Sequence, residues 1–525
     1  MDDLLKYGIG LDLFNNIDSL EKARDRVVAL VEILKTSSLL LEVDLGHYRG
    51  VPSLSFVEEG SNGFARMHDV VRDVAKAIAS KDPHQFVVIE ALGLQGWQQM
   101  VLKLENRTRI SLNCRDIHEL PERLVCRKLE FFLLNGNDNF LKIPDTFFED
   151  MGEVRVLSLF SIDLGQMPSS LHLLPNLRIL CIHRCRTAAD LTILGELKNL
   201  QILSLVLGNI LELPEKMKQL TDLSMLSLRC CQILDPRNVI SSLSRLEYLC
   251  MRNSFDSWES GGVDGGRRNA CLYELKHLSC LRALELVIPS SCLLPKDVCF
   301  EKLTRYNIIA GCEWDQCFDS TKNNDSTKAS RRLLLREVKG RHLLKCSELL
   351  KTVEVLELIR LVDIKHFVYE LDCNAFPQLK YLFISKSDAM QYIINTLDME
   401  WVRRPHLSAF PLLEELELRY LNQLEAVCHG PIPMGCFANL RVLIIEWCLR
   451  LKRILWLPTT QARESVLVFP QLGSLKLEHL PNLINFYSTG TSGSQEACSS
   501  FFNQVCLIFI FNFCHSALFN FQLLL

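Results

Sequence analysis

Two short stretches bring together side chains able to do chemistry. In "RMHDVVRDVAKAIAS" (66–80), His68 and Asp69 adjoin just ahead of an amphipathic run. In "CIHRC" (181–185), Cys181, His183 and Cys185 supply potential metal donors. A His-Asp pair at a helix start could hold a phosphate, because the first turn leaves backbone N–H groups free and carries the positive end of the helix dipole. The plainer alternative is that Asp69 caps the helix and His68 packs beside it. A zinc site needs converging donors. Strand alternation would send Cys181 and His183 to one face and Cys185 to the other, so no metal site is expected. Neither a Ser nor a Cys nucleophile stands beside His68 in a recognisable arrangement. The chain is therefore read as a non-enzyme with no catalytic residues.

The elements that must position these residues are repeats. "VRVLSL", "LRILCI", "LQILSL", "LSMLSL" and "LEYLCM" share the pattern L-x-x-L-x-L, with anchors Leu157, Leu180, Leu203, Leu226 and Leu249 spaced 23 residues apart. Upstream anchors are Phe132 and Ile110; downstream ones are Leu284, Tyr306, Leu356, Leu382, Leu416, Leu443 and Leu475, fourteen in all. Alternation in L-x-L puts two leucines on one face of a short strand. One strand cannot bury that face alone, but stacked copies make a parallel sheet with a continuous core. "LPERL", "IPDTF", "MPSSL" and "LPEKM" mark the return of the chain, where Pro fixes the turn. Cys185, Cys231 and Cys448 fall three residues past the last strand leucine, where a small buried side chain fits. Wider spacing after 284 implies insertions, and the polar stretches 254–270 and 320–330 read as surface loops.

This is the leucine-rich-repeat pattern. It predicts an α/β solenoid, a horseshoe with a concave parallel sheet, over residues 101–490. On its concave face the residues flanking the strand leucines point outward. Those taken as a protein-binding surface are Phe160, His183, Arg229, Arg252, Glu415, Glu417, Arg419, Glu446, Lys476 and Glu478. The plainer alternative for any one of them is a solvated sheet surface.

Composition sets outer limits. The 525 residues are 48% hydrophobic and 23% charged, which is globular. Net charge is −4, and phosphate backbones need clustered Lys and Arg, so nucleic acid is not expected as a partner. The 21 cysteines form no CxxC pair, and the start "MDDLLKYGIG" lacks the basic-then-apolar order of a secretory signal. A reducing, cytoplasmic setting with free thiols is expected. The apolar tail 491–525 is interrupted by Asn512, His515, Ser516, Asn520 and Gln522, so it is expected to lie outside the fold rather than in a membrane.

Residues 1–100 do not share the repeat. "DSLEKARDRVVALVEILKTSS" has helical spacing, with Asp18 and Glu21 as a capping box. "LLLEV" and "GFARM" read as two short strands, followed by a helix with Val70, Val71, Val74, Ala75 and Ile78 on one face. Helix, strand, strand, helix suggests a small winged-helix-like unit.

"MHDVVRDVAKAIASKDPHQFVV" resembles the MHD motif and following helix of plant nucleotide-binding (NB-ARC) leucine-rich-repeat disease-resistance proteins. Residues 3–44 resemble the stretch preceding that motif in the coiled-coil branch, and "FPQLKYL", "FPLLEEL" and "FPQLGSL" fit the late repeats of that branch. The resemblance covers residues 1–490. It implies that His68 and Asp69 descend from the latch that contacts bound ADP and holds the resting state. It implies a pathogen effector or guarded host protein as partner, and the nucleotide-binding domain of a complete receptor as another. The chain departs from the family at one decisive point. The phosphate loop G-x-x-x-x-G-K-[ST] does not occur in it. No cofactor is therefore expected for this chain alone, with ADP or ATP confined to full-length members. The reading at this stage is an N-terminally truncated receptor fragment. A decoy or regulator of a full receptor, or a substrate adaptor of a ubiquitin ligase, is the alternative. A winged-helix DNA binder ranks last, since residues 70–79 set only Arg72 and Lys76 against Asp73.

Overall fold

The computed structural model describes residues 2–42 (without 15), 65–92 (without 82–84), 300–311, 330–397 (without 344–345 and 372–375), 409–457 (without 434), 469–489 and 508–512. It also describes 104–288, with breaks at 115–116, 118–119, 137–140, 188–189, 207–212, 230, 232–238, 253 and 255–271. The loops expected at 254–270 and 320–330 thus lie outside the described residues, apart from Ser254 and Ser330. The chain divides into two compact units, Met1–Val287 with Asn323–Lys328, and Ile288–Lys322 with Ala329–Leu525.

The first unit opens with helices α1 (Asp2–Gly10) and α2 (Leu20–Thr36). Ala23, Val27 and Val31 of α2 recur at helical spacing and bury against Leu5 and Leu40. The N-cap of α2 is Ser19, whose hydroxyl accepts from Lys22 N at 3.4 Å. The expected capping box on Asp18 is thereby corrected: Asp18 instead pairs with Lys22 at 2.7 Å. Leu40–Glu42 and Ala65–Met67 form the two expected short strands, antiparallel to each other. Helix α3 (Asp69–Ala79) follows. Its apolar face divides, with Val71 and Ala75 half-buried and Val70, Val74 and Ile78 exposed.

A parallel sheet then runs through Phe86–Leu92, Arg109–Cys114, Phe131–Gly136, Val156–Phe160, Ile179–His183, Ile202–Val206, Met225–Arg229, Tyr248–Met251 and Ala283–Ile288. The anchors pair in register: Ile110 with Phe132, then Leu157, Leu180, Leu203, Leu226, Leu249 and Leu284. All are buried. The first strand begins at Phe86, so the sheet starts before the boundary expected near residue 100. Two returns begin as predicted at their proline: Pro168 and Pro214 stand at the N-caps of 3-10 turns Ser169–Leu173 and Glu215–Gln219.

The second unit continues the parallel pattern with Arg305–Ala310, Arg331–Arg336, Val355–Ile359, Tyr381–Ser385, Glu415–Arg419, Val442–Glu446, Ser474–Glu478 and Ile508–Asn512. Two expectations are corrected here. The anchor assigned to Tyr306 is Ile308, which pairs with Leu333, an anchor the sequence reading passed over. Tyr306 is a deep core residue whose hydroxyl donates to Leu349 O at 2.8 Å. The apolar tail also contributes to the sheet, because Ile508–Asn512 pairs with Ser474–Glu478. A second parallel sheet joins Tyr392–Asn395, Ala426–His429, Arg453–Leu457 and Asn485–Thr489. The Phe of the "FP" starts builds the core between the layers. Phe376 stacks on Phe367 at 5.3 Å and on Phe410 at 5.6 Å, all fully buried. The chain is an α/β leucine-rich-repeat solenoid.

The cysteines predicted to turn the chain do so. The Cys185 thiol lies 3.4 Å from His183 O, that of Cys231 3.4 Å from Leu205 O and Arg229 O, and that of Cys448 3.5 Å from Glu446 O. Burial pushes the Cys185 thiol up to about 12. Ser254 and Ser387 fill the same place in their repeats, and Ser387 Oγ accepts from Leu361 N at 3.0 Å.

Candidate recognition surface

The strand face opposite the anchors is built differently in the two units. In the first, the residue before each anchor from Phe132 to Leu284 is apolar: Phe131, Val156, Ile179, Ile202, Met225, Tyr248 and Ala283. These form a buried row, and Tyr7, Ile9 and Leu11 at and just beyond the end of α1 pack onto it. Gly10 sits so close that a Cβ there would run into Val156 and Ile179. The next row, Ser158, Cys181, Ser204 and Ser227, is small and polar and also buried. Tyr7 Oη lies 2.9 Å from Ser158 Oγ, and Lys6 Nζ donates to Ser204 Oγ at 3.4 Å. Asp12, just past α1, pairs with Arg155 at 3.1 Å and Arg178 at 2.6 Å. Leu20 N donates to Glu247 Oε2 at 2.9 Å. The face expected to be open is thus covered, over these repeats, by the start of the chain.

This cover decides the state of the predicted residues. His183 accepts or donates a hydrogen bond with Ser204 Oγ at 2.9 Å. Burial of its ring, then the Lys6 ammonium, outweighs the pull of Asp3 and lowers its pKa to about 3. Arg229 is buried and donates to Glu285 Oε2 at 3.0 Å, while Tyr248 Oη donates to Glu285 Oε1 at 2.7 Å. Phe160 is half-buried, with the Arg184 guanidinium 5.7 Å from its ring centroid. Arg252, also half-buried, lies just past its strand. Cys181 and His183 share the α1-covered face and Cys185 turns away, so the three donors do not converge.

His68 and Asp69 are exposed. His68 is the N-cap of α3 but makes no side-chain cap bond, and its carbonyl accepts from Arg72 N at 2.8 Å. Asp69 is the first residue of the helix, not its cap, and pairs with Arg72 at 3.1 Å.

In the second unit the strand face is charged. Arg332 pairs with buried Glu357 through Nε at 2.9 Å. Tyr381 Oη donates to Glu417 Oε2 at 2.9 Å, and Arg419 bridges Glu417 and Glu446, the latter at 3.3 Å. Lys476 Nζ reaches Glu446 at 2.5 Å and Glu478 at 3.3 Å. Glu415 is half-buried beside Tyr381 and Val442 in register. Of the residues predicted in this unit, Glu417, Arg419, Glu446, Lys476 and Glu478 are thus brought together as one network.

One column was missed by reading alternation alone. Directly after these strands stand Lys386, Tyr420, Trp447 and His479, all with left-handed backbone, φ 53–57°. The Tyr420 and Trp447 rings lie 5.9 Å apart and 12° from parallel, and those of Trp447 and His479 lie 3.7 Å apart and 8° from parallel. Lys386 Nζ stands 5.9 Å from the Tyr420 centroid. A sequence signal exists: "LELRY", "LIIEW" and "LKLEH" each place a ring four residues past the anchor.

No protein-family profile matches the chain. A probable disease resistance protein of Arabidopsis thaliana is 27% identical over 92% of this chain and 53% of its own length. A second probable disease resistance protein of that plant is 27% identical over 34% of this chain and 20% of its own. The chain spans about half the length of the first relative. A solved leucine-rich-repeat protein of Leptospira interrogans superposes with a TM-score of 0.45 at 17% identity, over 77% of this chain and 95% of that one. The chain is a leucine-rich-repeat protein similar in sequence, along nearly its whole length, to plant disease-resistance proteins.

Proposed function

We propose that the chain acts in plant defence as a recognition module, binding a pathogen effector or a guarded host protein through the strand face of its second unit. The observation that carries this reading is the likeness to a disease resistance protein over 92% of the chain. The charged network of Glu417, Arg419, Glu446, Lys476 and Glu478 supports it, because arrays of this kind select partners and set encounter rates. The first unit's face is filled by α1, so recognition belongs to the second. The segment ahead of the sheet, residues 1–85, serves as the winged-helix-like end of a nucleotide-binding domain, with His68 and Asp69 as its ADP latch. That latch works only beside a phosphate loop, which the longer receptors of the family supply, in the cytoplasm.

The test is proximity labelling from the full chain in leaf cells, followed by binding with purified proteins. At least one labelled pathogen or host protein should bind the purified chain, and the double reversal Glu446→Lys/Lys476→Glu should weaken it at least tenfold. If none of the labelled proteins binds the purified chain, the recognition reading is wrong.

A further inference from the structure

The column at the strand exits is set by the repeat, but its residue types are not. Three of its N–H groups donate to the carbonyl of the next strand: Lys386 N to Arg419 O at 3.1 Å, Tyr420 N to Glu446 O at 2.9 Å, Trp447 N to Glu478 O at 3.0 Å. That bond turns the chain and demands a left-handed residue, a conformation Gly or Asn takes with least strain. Three successive repeats instead place Tyr, Trp and His there. Other repeats set Ser161, Arg184, Glu337 and Arg360 at this left-handed position, so the turn does not dictate the side chain, and three rings in succession point to a role beyond turning the chain. The rings are stacked into a rigid strip, yet Tyr420 is 42% and Trp447 39% exposed. Aromatic side chains with few torsions lose little entropy on binding, and Trp and Tyr dominate the centres of protein interfaces.

Charge selects the partner. The faces of the three strands beside the strip carry four carboxylates, half-buried Glu415 and Glu478 and the buried, ion-paired Glu417 and Glu446, against two cations, Arg419 and Lys476. The strip itself already holds one cation near a ring, Lys386 by Tyr420. Aromatic faces attract ammonium and guanidinium groups, and guanidinium groups stack on rings especially well.

Resting on the recognition reading above, we infer that the Tyr420–Trp447–His479 strip, with the carboxylates beside it, is the docking surface for a partner segment that carries arginines interleaved with apolar side chains. The apolar groups cover the strip and the guanidinium groups meet Glu415, Glu478 and the ring faces.

The test uses the full chain and two synthetic peptides of equal length, one alternating arginine and leucine, the other glutamate and leucine. Binding is followed by anisotropy of a labelled peptide. The arginine peptide should bind, the glutamate peptide should bind at least tenfold more weakly, and Tyr420→Ala/Trp447→Ala should weaken arginine-peptide binding at least tenfold. Trp447→Phe should restore most of the loss when paired with native Tyr420. A melting temperature within a few degrees of wild type checks that the double variant folds. Wild-type affinity in the double variant, equal binding of both peptides, or binding of neither overturns the assignment. Those outcomes leave the recognition reading standing, since it is judged by the labelled plant or pathogen proteins and the Glu446/Lys476 reversal.

Discussion

Lys6 and Ser204 are 198 positions apart, and the Lys6 ammonium nevertheless donates to the Ser204 hydroxyl at 3.4 Å from a fully buried position. Their contact seats α1 on the sheet, and burial beneath that helix, aided by the ammonium's charge, holds the neighbouring His183 neutral. The open face of the first unit is therefore part of a core.

Gly10 is the point of closest approach. Gly10→Val would press its side chain into Val156 and Ile179. Overpacking of this kind costs about 1–3 kcal/mol. Urea unfolding should show that loss, and hydrogen exchange should show α1 losing protection before the repeats. Wild-type stability and protection would mean that α1 does not pack as described.

His183 ties stability to pH. Its folded pKa, about 3, lies below the ordinary value near 6.5, so between the two the unfolded chain binds more protons than the folded one. Stability is complete above about pH 6.5 and falls as pH drops from there toward 3, with a slope of at most about 1.4 kcal/mol per pH unit from this group. His183→Gln keeps a polar partner for Ser204 and should flatten the slope between pH 6.5 and 4.5 in urea unfolding. An unchanged slope would place the pH dependence elsewhere.

Arg229 and Glu285 form a largely buried pair, completed by the Tyr248 hydroxyl. Removing one partner strands a buried charge, at about 3–5 kcal/mol, whereas replacing both with neutral groups is far milder. Arg229→Met should lower stability by that order, and Arg229→Met/Glu285→Gln should recover more than half of it. Additive losses in this double-mutant cycle would show that the pair is not coupled.

His68 and Asp69 lie exposed at the start of α3, with Asp69 paired to Arg72. One histidine at a helix end does not replace a phosphate loop. Calorimetry of the purified chain with ADP should give no heat of micromolar binding, and His68→Ala should change nothing. A clear micromolar isotherm abolished by His68→Ala would establish a complete site in this chain.

Much of the fold could be read from spacing. Leu157, Leu180, Leu203, Leu226 and Leu249 pair strand to strand as their 23-residue interval requires. Cys185, Cys231 and Cys448 occupy the turns assigned to them. Where insertions break the interval the reading slipped, taking Tyr306 for Ile308 and passing over Leu333, because "RRLLLR" has no fixed distance to a neighbour. The charged network of the second unit followed from alternation, since Glu417, Arg419, Glu446, Lys476 and Glu478 all flank strand leucines.

What the sequence determined by itself is the repeat: which residues form strands, which side of each strand is core, and where the chain turns. These are local consequences of side-chain period, so a few residues suffice to specify them. What only the tertiary structure decided is what the other side meets. The apolar row from Val156 to Ala283 is a buried seat because α1 lies on it. Tyr420, Trp447 and His479 form one strip because three strands stack in register. Contacts between residues tens to hundreds of positions apart carry no period of their own, and appear only once the strands are stacked and the helix is laid across them.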